Sequence, residues 1–135
     1  MPLQLGSKDY VGEPYPAISE EALQGSLKNQ VVVIVGAGRG LGRVMAHSMA
    51  AAGAKVALAS RSESELKEVA AELQSKFDTK TYYAVADITK IDQLKDLLDG
   101  TEKALGKIDC LVANSAMSYL YALFEDEFDT EKWWK

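Results

Sequence analysis

A chain of 135 residues with 47% hydrophobic and 26% charged residues has the composition of one ordinary globular domain, which excludes the disordered and fibrous classes. Its formal net charge of -5 argues against a nucleic-acid or anionic-membrane surface, either of which calls for clustered excess Lys and Arg. The expected partner is a small molecule or another protein.

Residues 1 to about 28 hold all three prolines and little periodicity, the pattern of an extended arm over the surface of a domain at 29–135. The first stretch, MPLQLGSKDYVGEPYP, has no continuous apolar core and no arginine enrichment. It resembles neither a secretory signal nor a transit peptide, no segment has the apolar length of a membrane span, and a cytoplasmic setting is expected. Ser19 can cap a short helix over EEALQ. From Gln30 onward four short apolar runs follow: VVVIV (31–35), KVALAS (55–60), TYYAVA (81–86) and IDCLVA (108–113). Each reads as a strand buried on both faces. The lone Cys110, within the last of them, is expected to be a reduced core thiol.

Helical periodicity fills the gaps: Leu41, Val44, Met45, Ser48, Met49 and Ala52, then Leu66, Val69, Ala70 and Leu73, then Ile91, Leu94, Leu97 and Leu98. The acidic run FEDEFDTE (124–131) leads toward a further helix near Asp129, with Trp133 and Trp134 beyond it. The alternation predicts an α/β fold, a Rossmann-type parallel sheet with helices on both faces.

The first strand runs into Gly36, Gly38, Gly40 and Gly42 and then a helix, the arrangement in which backbone N–H groups at a helix N-terminus hold a phosphate. A P-loop is excluded, because Gly42 is followed by Arg43 and not by Lys. The spacing GxGxxG fails as well, since Leu41 and Arg43 stand where its last glycine falls. The residues fit GxxxGxG, the alternative being a tight turn between strand and helix.

The end of the second strand, where an acid usually meets a free ribose 2′-OH, holds Ser60 and Arg61. A serine hydroxyl and a guanidinium suit a 2′-phosphate, and Arg39 can approach from the other side. Two charge-assisted hydrogen bonds of roughly 1.5–3 kcal/mol each would favour NADP over NAD by about two orders of magnitude. Otherwise both are solvated surface arginines. The missing acid also weighs against an S-adenosylmethionine site. His47, among small residues in the first long helix, is expected to be structural, and no residue set has metal-ligand spacing.

The strings VGAGRGLGRVMAHSMAAAGAKVALASRSESELKEVAAEL, VADIT and KIDCLVANSA resemble the cofactor-binding half of the short-chain dehydrogenase/reductase family, its NADP-preferring members in particular. The resemblance covers about residues 28–135. It implies a strand order of 3-2-1-4 and cofactor contacts from Gly36, Gly38, Arg39, Gly40, Leu41 and Gly42. It adds Ser60 and Arg61, Asp87 with Ile88 against adenine, and Asn114 in the turn after the fourth strand. Asp87 can also serve as an acid at the start of the following helix. Val35, Ala113, Ser115 and Ala116 depart from the family's usual residues.

In this family a carbonyl receives its proton from a Tyr assisted by a Lys four residues on, with a Ser nearby. None of the six tyrosines has that lysine, so no catalytic residue is assigned. The expected function is the NADP(H)-binding portion of an oxidoreductase for an alcohol/carbonyl pair, truncated before its catalytic residues. The alternative is a non-catalytic nucleotide-binding or interaction module, joining a homo- or hetero-oligomeric partner through an open sheet edge at the fourth strand.

Overall fold

A computed structural model of the protein describes residues 16–116. The expected helix near Asp129 and the two tryptophans lie outside that range, as does the first half of the arm. Four parallel strands, β1 (Val31–Val35), β2 (Lys55–Ser60), β3 (Thr81–Val85) and β4 (Cys110–Ala113), form one sheet in the order β3-β2-β1-β4. They are joined by α2 (Gly40–Ala51), α3 (Glu63–Phe77) and α4 (Ile91–Leu105). Ahead of them α1 (Glu20–Leu23) starts at Ser19, whose hydroxyl accepts from the Ala22 N–H at 3.2 Å.

The pleat divides the core in two. Val32, Ile34, Val56 and Leu58 face α2 and α3, while Val31, Val33, Val35, Ala57 and Ala59 face α4. Alternation along a central strand thus feeds two apolar layers, which is why these runs carry polar residues only at their two ends. Register is direct, with Val33 opposite Ala57 and Leu111. Lys55 reaches the Leu105 carbonyl at the end of α4, and the Asp109 carboxylate accepts from the Val31 N–H at 2.9 Å. These two contacts fix the lower ends of β2 and β1.

Three expectations need correction. On α2 the buried residues are Gly42, Ala46 and Ala50, whereas Leu41 and Val44 are exposed. The helix lies close on the sheet, and close approach selects small side chains over large ones. On α4, Leu97 is buried but Ile91 and Leu98 are exposed. Burial on both faces holds for β1 and β2 only. The outer strand β3 is half-buried, and β4, which pairs with β1 alone among the described residues, leaves Cys110 and Leu111 exposed. Cys110 is therefore not a core thiol: an apolar strand at a sheet edge has one hydrogen-bonded neighbour and incomplete cover.

Candidate functional site

The loop after β1 is anchored from both sides. The Gly36 and Ala37 N–H groups donate to the Ala59 carbonyl at 2.7 and 3.0 Å, tying the loop to the end of β2. From β4, the Asn114 N–H donates to the Val35 carbonyl at 3.1 Å, and its side-chain amide donates to the Gly36 carbonyl at 3.2 Å. Asn114 thus positions the loop, while Ser115 packs on Gly36, whose φ of +86° belongs to the left-handed region.

Beyond the loop α2 opens at Gly40. Its N-cap residue, Arg39, is extended and makes no side-chain cap. Among the described residues no side chain accepts from the first-turn N–H groups of α2, and the partial positive charge of a twelve-residue helix adds to them. Arg39 and Leu41 are exposed at this end, and Arg61, directly after β2, is exposed as well. Neither arginine takes part in an ion pair among the described residues, unlike Arg43, which is held by Glu68 and Glu72. Ser60 Oγ is already engaged with Ser62, accepting from its N–H at 3.2 Å and donating to its carbonyl at 3.3 Å. The donor expected at this position is thus committed to the turn that leads into α3.

Asp87 follows β3. Its carboxylate accepts from both the N–H and the hydroxyl of Thr89, at 2.9 and 2.8 Å. The α4 N-cap is Lys90, so Asp87 closes a turn ahead of the helix and is not its capping acid. These Thr89 contacts hold the Asp87 carboxyl below its ordinary range, the positive charge of Arg61 contributing a smaller share in the same direction. The sign follows: the charged form stabilises the fold above the unfolded-state value, and that contribution disappears as pH falls through the lower folded-state value. Asp87→Asn is expected to keep the fold near neutral pH and to flatten the loss of thermal stability on acidification to about pH 3. Melting curves across that range, wild type against variant, check this.

Beside Asp87, Ile88 is exposed and borders an apolar hollow of about 290 Å³ lined by Val35, Leu97, Leu111, Ala113 and Ser115 among others. The predicted residues from all four strand ends therefore lie at one edge of the sheet, where open parallel sheets bind ligands. His47 lies apart. It contacts Glu72 at 2.9 Å and the Phe77 ring edge-on, a structural link between α2 and α3. No cluster with metal-ligating composition occurs among the described residues, and no helix there is long and apolar enough to cross a membrane.

One residue at the site escaped sequence reasoning. Glu65, in the first turn of α3, has its carboxylate against Gly38 and near Ser60. In sequence it is indistinguishable from any acidic residue at a helix start.

The short chain dehydrogenase family model matches residues 30–135. A short chain dehydrogenase of Pseudocercospora fijiensis is 32% identical over 129 residues, covering 96% of this chain and 41% of that protein. Among solved structures, L-sorbose reductase from Gluconobacter frateurii complexed with NADPH and L-sorbose superposes with a TM-score of 0.72 at 26% identity, covering 79% of this chain and 40% of that one. An alcohol dehydrogenase from the archaeon Thermococcus sibiricus complexed with 5-hydroxy-NADP gives 0.69 at 29% identity, covering 76% and 43%. The chain spans less than half the length of each of these proteins.

Proposed function

The chain belongs to the short-chain dehydrogenase/reductase family, and on that footing we propose that it is the NADP(H)-binding portion of an oxidoreductase acting on an alcohol/carbonyl pair. The binding unit begins near residue 29, with the preceding segment as an arm. The observation that carries this reading is the helix N-terminus at Gly40, without a side-chain cap from its N-cap residue Arg39, together with an exposed Arg61 directly after β2, the strand to which the glycine loop is tied. A pyrophosphate supplies the acceptor that the first turn of α2 lacks, and the two guanidinium groups suit a 2′-phosphate. Gly36, Gly38, Gly40, Leu41 and Gly42 shape the cradle, Asp87 and Ile88 meet the adenine, and Asn114 holds the loop in place. When bound, NADPH supplies a hydride. The YxxxK spacing is absent from these 135 residues, and none of them is assigned as the acid or base of the reaction.

The residues gathered here address the adenosine and phosphate end of the cofactor. Competition binding is the test. 2′-Phospho-ADP-ribose, which lacks the nicotinamide, is expected to displace NADPH with an affinity within about tenfold of NADPH itself, and ADP-ribose is expected to be at least about tenfold weaker. Equal competition by the two fragments would contradict a 2′-phosphate subsite.

The exposure of Cys110 and Leu111 on β4 favours a second reading, a non-catalytic module that pairs through this edge. A strictly monomeric protein in sedimentation at high concentration would oppose it.

A further inference from the structure

Gly38 is buried, and its position is crowded from one side. A Cβ placed there would lie 2.6 Å from Glu65 Oε2, 3.0 Å from Glu65 Cβ and 3.1 Å from Ser60 Oγ. Glu65 therefore reaches from α3 across to the glycine loop, where its carboxylate and the Ser60 hydroxyl at the end of β2 both border Gly38. Its place is fixed from behind: the next residue, Leu66, is fully buried, and the Glu65 N–H is capped by Ser62 Oγ at 3.5 Å. Glu63, in the same first turn, behaves differently. It pairs with Lys67 at 2.8 Å with more than half of its side chain exposed. Among the described residues Glu65 has no ion-pair partner, and neither have Arg39 and Arg61. The glycine loop thus meets one carboxylate, while it carries Arg39 itself and Arg61 follows the adjacent strand.

We infer that Glu65 is a specificity-determining residue, an acid delivered from α3 to the ribose side of the cofactor site that β2 itself leaves without one. The inference rests on the NADP(H) reading above. A carboxylate there repels a 2′-phosphate and accepts a hydrogen bond from a 2′-hydroxyl, so both effects shift selectivity toward NADH. Arg39 and Arg61 act in the opposite sense. Selectivity between the two cofactors is then a difference between opposing charges, and the Gly38 position stays free of a side chain because the carboxylate occupies that space.

The test is parallel titration of NADPH and NADH into wild type, Glu65→Gln, Glu63→Gln and Arg61→Asp. Glu65→Gln keeps the shape and removes the charge. It is expected to raise the NADPH-to-NADH affinity ratio by roughly five- to tenfold, the gain shrinking at high salt as screening takes over. Glu63→Gln, with its charge directed to Lys67, is expected to leave the ratio within about twofold. An unchanged or lowered ratio in Glu65→Gln, with Arg61→Asp still lowering it, would overturn the role of Glu65 and leave the phosphate site standing. A ratio unmoved by either substitution would overturn both.

Discussion

Arg61→Asp is expected to reverse cofactor preference, weakening NADPH by about two orders of magnitude while leaving NADH nearly unchanged. The side chain is exposed at the end of β2 and has no ion-pair partner among the described residues, so its loss leaves no buried charge stranded in the protein. At the proposed site, what disappears is a charge-assisted hydrogen bond to the 2′-phosphate, and what appears is a second carboxylate on the ribose edge to which Glu65 is assigned. An unphosphorylated ribose meets neither penalty and gains an acceptor for its hydroxyl. The substitution also removes a cation that helps hold the Asp87 carboxyl down, so the acid end of the stability profile moves toward higher pH. Titration of both cofactors into the variant checks the preference. Unchanged relative affinity would remove Arg61 from the site.

Gly42→Ala carries the largest expected structural effect. In an exposed helix interior this exchange stabilises by about 0.5–1 kcal/mol. At Gly42 the sign is inverted. A Cβ there would overlap the Gly36 carbonyl oxygen and come within 2.8 Å of the Asn114 amide nitrogen. Neither group can retreat easily, because that amide donates to that same carbonyl and the Asn114 N–H is tied to β1. The start of α2 must therefore lift from the strand, at a cost of about 2–3 kcal/mol and a Tm roughly 10 °C lower. NADPH binding is expected to fall with it, since the displaced turn carries the N–H groups proposed to hold the phosphate. Ser48→Ala, at an exposed position on the same helix, is the control and should melt within a degree or two of wild type. A Gly42→Ala protein as stable as wild type would mean that α2 sits farther from β1 than described.

The parts of the fold that were legible in the sequence are those where one physical requirement acts alone. β1 and β2 must be apolar on both faces because a helical layer covers each side, and their limits coincide with the runs VVVIV and KVALAS. On α3 the large residues Leu66, Val69 and Leu73 point inward as their spacing predicts. Where two requirements compete, the pattern misleads. Hydrophobicity alone turns Leu41 and Val44 of α2 toward the core, but the close contact between Gly42 and Gly36 sets the rotation of that helix and leaves both outside. Cys110 reads as buried because an apolar strand carries no mark of whether its neighbours lie on one side or two. The placement of the glycines and of Asp87 directly after β1 and β3 was legible, because it follows from the strand limits. Glu65 was not, since the carboxylate meets Gly38 only through the packing of α3 beside the loop, a contact between residues 27 positions apart.

Isothermal titration of the purified protein with NADPH and NADH, side by side at one salt concentration, tests the central claim most directly. NADPH is expected to bind at least about tenfold more tightly, with an affinity that falls as salt is raised. Equal binding, tighter binding of NADH, or no binding of either nucleotide would contradict the assignment of this chain as an NADP(H) site.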